Sequence, residues 1–292
     1  MDIAPQRTVV GFIGTGVMGG SMAGHILDAG YQVHVYTRTR SKADAICKKG
    51  AVWEETIASL AVKCHLVITM VGLPADVESI YLQQDGIIEN ALPGTILVDM
   101  TTSSPVLAVK IYESAARHSL HALDAPVSGG DIGARDATLS IMAGGDRAIF
   151  DAVMPVFEVM GKNILLQGGA GCGQHTKMAN QIAIAAGMVG ICESLAYTVK
   201  SGLDPESVLK SIGSGAAGSW TLNNLGPRII KGDFAPGFYV KHFIKDMGIA
   251  IESAKEMGLE TPGLVLAKSL YDKLAENGYE YDGTQALYRL FI

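Results

Sequence analysis

At 292 residues the chain has the length of two ordinary domains, and a 48% hydrophobic content supplies a sizeable core. A net charge of −6 excludes the basic footprint of a nucleic-acid-binding protein. The four cysteines, Cys47, Cys64, Cys172 and Cys192, show no CxxC spacing, and the seven histidines form no HExxH or HxxxH pair. The expectation is a cytoplasmic protein with reduced thiols and no metal site. Residues Met1 to Arg7 carry no hydrophobic signal core.

The first predicted element is a short buried strand, Thr8 to Ile13. It enters Gly14-Thr15-Gly16-Val17-Met18-Gly19, and a helix from Ser21 to Leu27 leaves that turn. Gly30 ends the helix, and Gln32 to Tyr36 reads as a second strand. A lone GxGxxG is unspecific, but strand, glycine loop, helix and strand together make a βαβ dinucleotide-binding unit. Gly14 serves the tight turn, Gly16 lets the backbone approach a pyrophosphate, and Gly19 lets helix and strand pack. The phosphates then sit on the helix N-terminus, where N–H groups and the dipole favour anions.

The end of the second strand bears on which cofactor is held. An acid that bonds the ribose 2′-hydroxyl is usual there in NAD sites. This chain has Thr37-Arg38-Thr39-Arg40-Ser41-Lys42 instead. Guanidinium, ammonium and hydroxyl groups suit a 2′-phosphate, so NADP(H) is expected as the preferred cofactor, with NAD(H) possible. The alternative is a solvated basic turn that tolerates either.

Further core strands are expected at Leu66–Val71, Thr95–Met100, Leu120–Ala125, Thr138–Ala143 and Asn163–Leu166. The first of these runs into Gly72-Leu73-Pro74 and the second into Thr101-Thr102-Ser103, loops at a carboxyl edge where ligands bind in open α/β sheets. After Gly173 strand signals fade, and helical periodicity marks Asn180–Lys200, Pro205–Ile212, Ile244–Met257 and Leu264–Glu276. The expected organisation is a Rossmann-type α/β domain over residues 1–168 and an all-α domain over 169–292, joined by a long interdomain helix. The longest uncharged stretch, Met178 to Cys192, is interrupted by Asn180 and Gln181 and falls short of the ~18 apolar residues of a membrane span, so a buried helix is expected.

Three constellations carry chemistry. In Gly171-Cys172-Gly173-Gln174-His175-Thr176-Lys177-Met178-Ala179-Asn180-Gln181, helical spacing puts the Lys177 ammonium and the Asn180 and Gln181 amides on one face. Partial desolvation of an amine at the edge of an apolar helix favours the neutral form that proton transfer needs. A cleft between the two domains would be the natural place for it. Taken alone, the bland reading is a lysine whose stem packs while its head reaches water. Asp124-Ala125-Pro126-Val127-Ser128-Gly129-Gly130 presents a hydroxyl and glycine N–H groups as a nest for a carboxylate, or is a plain glycine turn. Lys245-Asp246, taken alone, reads as an ordinary surface charge pair.

In this order, from Phe12-Ile13-Gly14 to Lys245-Asp246, the stretches resemble the β-hydroxyacid dehydrogenase family, which includes 3-hydroxyisobutyrate dehydrogenase, tartronate semialdehyde reductase and the glyoxylate/succinic semialdehyde reductases. The resemblance spans essentially the whole chain. It implies that Lys177 is the general acid/base and that Asn180 positions substrate, with Gln181 beside it. It implies that Ser128, Gly129 and Gly130 hold a substrate carboxylate, and that Leu73, Pro74, Thr102 and Lys245 contact the cofactor. It also implies a homodimer or homotetramer with a small carboxylate-bearing substrate, and neither a nucleic-acid nor a membrane partner. Two departures stand out: Ala137 where many members have Gly, and Asn180-Gln181 where many have Asn-Asn. Three readings follow: an NAD(P)-dependent dehydrogenase of a short β-hydroxy acid or its semialdehyde, a reductase of another carbonyl or an imine on the same fold, or a non-catalytic cofactor-binding scaffold. The retained Lys177 argues against the imine reductases, which the resemblance implies usually replace it.

Overall fold

Alternating apolar strands and amphipathic helices build the first half of the chain. A computed structural model describes residues 3–292. Within it the chain divides into two compact units, Met1–Lys177 and Met178–Ile292. The first unit opens with β1 (Val9–Ile13), α1 (Val17–Asp28) and β2 (Gln32–Tyr36). Next come α2 (Asp44–Lys48), β3 (Val52–Trp53), α3 (Ile57–Ala61) and β4 (Leu66–Thr69). They are followed by α4 (Pro74–Leu82), α5 (Ile87–Asn90), β5 (Ile96–Asp99) and α6 (Pro105–Arg117). The series then runs through β6 (His121–Asp124), β7 (Val127–Ser128), α7 (Gly130–Arg135), β8 (Leu139–Gly144), α8 (Arg147–Phe157) and β9 (Gly161–Gly168).

These strands form one sheet of order β3-β2-β1-β4-β5-β6-β8-β7, with β9 paired to β8. From β3 to β6 every pairing is parallel, and β6–β8 and β7–β8 are antiparallel. Parallel strands covered by helices on both faces need apolar residues at successive positions. Val10, Phe12, Leu66, Ile68, Ile96 and Val98 face one cluster, and Ile13, Val67 and Leu97 face the other. The two-residue strands β3 and β7 were not expected from sequence, because they are too short for a period-2 pattern. Helix α1 begins four residues before the expected Ser21, through glycines that carry little helical preference of their own.

After β9 the chain enters α9 (Cys172–Lys200), a 29-residue helix. By length and composition alone the whole of α9 could cross a membrane. Its residues Met178, Ala185, Met188, Cys192 and Leu195 bury instead in the core of the second unit. That unit continues with α10 (Pro205–Ile212), α11 (Trp220–Ile230), α12 (Val240–Glu256) and α13 (Pro262–Leu274). Helix α11 was not expected. Gly226 and Pro227 interrupt its helical signal, yet Leu222 and Ile229 anchor it to the core.

Candidate active site

The strand order reverses between β1 and β4, which places a ligand crevice at their carboxyl ends. Gly14 leaves β1 there with φ of 99°, in the left-handed region, and its N–H donates to Tyr36 O at 2.8 Å. A Cβ at Gly14 would collide with the Met70 carbonyl oxygen, and one at Gly19 with the Gly14 carbonyl oxygen. The fold itself therefore demands glycine at both positions. Gly16 is different: a Cβ there would meet no atom within 4 Å. The space above Gly16 is open, which is what close approach of a pyrophosphate requires.

Gly16 is the N-cap of α1 yet offers no side-chain oxygen to the first turn, and that turn holds no acid. The buried Thr15 Oγ1 has no hydrogen-bond partner among the described residues. Exposed Val17 and half-buried Met18 complete the loop. An open glycine, an uncapped helix N-terminus and an unpartnered buried hydroxyl fit a dinucleotide phosphate.

Of the other expected cofactor residues, Lys245 lies in α12 of the second unit, and the rest lie on loops of the first unit. Half-buried Thr37 and exposed Arg38 and Thr39 follow β2. Arg38 Nη1 donates to Asp76 Oδ1 at 3.0 Å, and Asp76 Oδ2 accepts from the N–H of Leu73 at 3.2 Å. Leu73 and Pro74 begin α4, so Asp76 ties the basic turn to that loop. Arg40 lies over the Trp53 ring at 5.2 Å and donates to Glu55, which directs it away from Arg38's partner. Thr102 is half-buried between buried Thr101 and Ser103. The Thr101 hydroxyl accepts from the Val71 N–H at 3.0 Å and so joins the loops after β4 and β5.

Two buried carboxylates lie side by side at the ends of neighbouring strands, since Asp99 and Asp124 are register partners in β5 and β6. Asp99 accepts from the Thr69 hydroxyl at 2.7 Å and the Thr101 N–H at 3.1 Å. Asp124 accepts from the N–H groups of Gly171 and Gln174, each at 2.8 Å, and so caps the first turn of α9 from another strand. Burial pushes both carboxyls up to about 6 despite these hydrogen bonds, and for Asp99 the charge of Asp124 adds to the effect. A cavity of about 10 Å³, room for a single water, lies against both. Sequence reading placed Asp124 only within the glycine-nest motif and gave Asp99 no role.

One turn into α9 comes Lys177, which is 7% exposed. Gln174 is fully buried and Gln181 is 1% exposed, so positions i−3 and i+4 from the lysine lie on the same buried face. Half-buried Asn180 donates to Gln181 Oε1 at 2.7 Å, and Gln181 Nε2 donates to Asp246 Oδ2 at 2.7 Å. Lys245 Nζ lies 3.0 Å from Asp246 Oδ1, an ion pair without hydrogen-bond alignment. Asp246 is 1% exposed. Lys245-Asp246 is therefore not the surface charge pair that the two residues alone suggest. It is the buried end of a chain of polar contacts that starts at Asn180.

Ser128 ends β7, and Gly129 and Gly130 follow with φ of 128° and 63°. Consecutive left-handed glycines turn the backbone sharply at the start of α7. Helix α7 closes at Ala137, also left-handed with φ of 53°, where the Thr138 N–H returns to Gly133 O at 2.9 Å. This is the Schellman position that favours glycine, a physical reason for the residue type that Ala137 replaces. No group of three or more His, Cys, Asp or Glu side chains among the described residues could hold a metal ion.

A family model described as the NAD binding domain of 6-phosphogluconate dehydrogenase matches residues 9–169. A second, described as NAD-binding of NADP-dependent 3-hydroxyisobutyrate dehydrogenase, matches residues 171–291. The chain is 62% identical over 287 residues to the uncharacterized oxidoreductase YkwC of Bacillus subtilis (strain 168), covering 98% of this chain and 100% of the relative. It is 40% identical over 269 residues to 2-hydroxy-3-oxopropionate reductase of Escherichia coli (strain K12), covering 92% of each. Among solved structures, 3-hydroxyisobutyrate dehydrogenase of Mycobacterium tuberculosis with L-serine superposes with a TM-score of 0.90 at 29% identity, covering 97% of this chain and 98% of that one.

A Rossmann-type domain with a dinucleotide loop, followed by a helical domain, defines an NAD(P)-dependent oxidoreductase. The chain belongs to the β-hydroxyacid dehydrogenase family, and it is an enzyme of the hydroxyacid dehydrogenase type.

Proposed function

We propose that this enzyme interconverts a short β-hydroxy acid and its semialdehyde, with NADP(H) as the preferred cofactor and Lys177 as the proton carrier. The observation that carries the reading is the buried Lys177, one turn past a helix start that is pinned by Asp124. The loop residues Gly14, Thr15, Gly16, Val17, Met18 and Gly19 hold the cofactor's pyrophosphate, and Thr37, Arg38 and Thr39 face its 2′-phosphate. Leu73, Pro74, Thr102 and Lys245 complete its contacts. The cofactor supplies the hydride chemistry when bound. Ser128 and the N–H groups of Gly129 and Gly130 hold the substrate carboxylate, and Asn180 orients the reacting oxygen with Gln181 behind it. In oxidation the neutral Lys177 amine takes the hydroxyl proton, and in reduction the ammonium returns it to the carbonyl oxygen.

The substrate class is supported by the names of the relatives, which are a 2-hydroxy-3-oxopropionate reductase and a 3-hydroxyisobutyrate dehydrogenase. NADP(H) is supported by the absence of an acid at the end of β2 and by the NADP-dependent enzyme named in the second family model. We further assign residues 1–168 to cofactor binding and 169–292 to substrate binding and self-association as a dimer or tetramer in the cytoplasm. Replacing Lys177 by Ala tests the reading: kcat should fall at least ~10²-fold while NADPH affinity changes by less than about threefold. Near-normal turnover of 3-hydroxyisobutyrate, glycerate or their semialdehydes by that variant would remove Lys177 from the chemistry.

A further inference from the structure

Gln174 is fully buried, and both ends of its amide are used. Its Oε1 accepts from the Ser103 N–H at 2.9 Å, and its Nε2 donates to the Thr101 carbonyl at 2.8 Å. The two bonds bracket Thr102. The backbone N–H of the same residue donates to Asp124 Oδ2, and Asp124 Oδ1 takes the Gly171 N–H. The α9 start has no slack on the other side either. A Cβ at Gly173 would lie 2.6 Å from the Asp124 carbonyl oxygen, and one at Gly144 would lie 2.7 Å from the Gly173 nitrogen. Gln174 thus joins the first turn of α9 to the loop after β5 through two buried bonds, and its own backbone is held by a buried carboxylate.

We propose that Gln174 is a positioning residue for the reaction: it sets the spacing between the helical turn that carries Lys177 and the Thr101–Ser103 loop that receives the cofactor. This rests on the assignment of Lys177 as proton carrier. A glutamine suits the task because its planar amide presents a donor and an acceptor about 2 Å apart and can grip two backbone groups of one loop at once. An apolar residue of the same volume would fill the space but leave a buried N–H and a buried C=O without partners. The loop would then move relative to the helix, and a displacement of about 1 Å between reacting groups costs up to ~10²-fold in rate.

The test uses Gln174→Met, Lys177→Ala and the double variant in the full-length enzyme. Steady-state rates with NADPH are combined with the isotope effect from cofactor deuterated at the transferred position. The expected result for Gln174→Met is a loss of about 10- to 100-fold in kcat with KM values within about threefold, and a larger isotope effect as hydride transfer becomes limiting. In the Lys177→Ala background the same substitution should cost less than about twofold, because the two residues act as a unit. Gln174→Asn keeps the amide but cannot span both partners. It should show the same pattern and decides the matter if the methionine variant does not fold. Unchanged kcat and isotope effect in a folded variant overturn the proposal, and so does an equal loss in both backgrounds. Substantial turnover by Lys177→Ala alone would instead overturn the Lys177 assignment, so the two failures are distinguishable.

Discussion

Arg38 and Asp76 form an ion pair of 3.0 Å between the end of β2 and the first turn of α4. The guanidinium that faces the cofactor's 2′-position in the proposed reading is thereby partly neutralised in advance. The Arg38 side chain is 81% exposed, so the pair itself adds little to stability. Its consequence is for the ligand, because a dianion arriving at Arg38 also meets the Asp76 carboxylate.

Two outcomes follow for cofactor choice. Arg38→Ala should lower kcat/KM for NADPH by roughly 10-fold or more, the worth of one bond to a charged group, and hardly alter NADH. Asp76→Asn keeps an oxygen for the Leu73 N–H but removes the charge, and it should raise the NADPH-to-NADH ratio of kcat/KM. That gain should shrink at high salt, because the groups are exposed and screened. Equal use of the two cofactors by the wild type, with equal losses on mutation, would reduce the basic turn to a solvated surface.

Ser128→Ala should raise KM for carboxylate substrates, by about 10-fold or more if one charge-assisted bond of ~1.5–3 kcal/mol is lost. An uncharged analogue of the same shape should lose far less. If both suffer alike, Ser128 does not hold a carboxylate.

Asp99 and Asp124 make native stability depend on pH in an unusual direction. Burial raises both to about 6, above the ~3.9 of an unfolded aspartate. Between those values the native state binds more protons than the unfolded state. Their stabilising contribution is therefore complete below about pH 4 and is lost as pH rises through about 6. Thermal midpoints of the wild type and Asp99→Asn between pH 4.5 and 7.5 check this, since the variant should show a shallower decline. Parallel curves would mean that Asp99 titrates normally.

Ala137→Gly should stabilise the protein. A left-handed alanine costs roughly 1–2 kcal/mol, partly offset by the greater freedom of glycine when unfolded. The net gain should be about 0.5–1 kcal/mol, or a rise of ~1–2 °C in Tm for a chain of this size, with kcat unchanged. A lower Tm for the variant would mean that the alanine methyl makes a packing contribution larger than its backbone strain.

Much of the fold was legible along the chain. The β1–α1–β2 unit, the core strands and the helical second half follow from apolar periodicity and glycine placement, which are properties of residues close in sequence. The same local rule put Lys177, Asn180 and Gln181 on one face of a helix. Tertiary structure alone decided what depends on which segments become neighbours. Strand β3 exists only because Val52 and Trp53 lie beside β2. Helix α11 survives Gly226 and Pro227 because its apolar side chains reach a core. Asp246 is buried because Gln181, 65 residues earlier, comes to meet it. The grip of Gln174 on Ser103 and Thr101 spans 71 and 73 residues, and that of Asp124 on Gly171 spans 47. Hydrogen bonds over such separations leave no periodic trace in the sequence. They are set by the order of strands in the sheet, which brings the end of β6, the loop after β5 and the start of α9 to one edge.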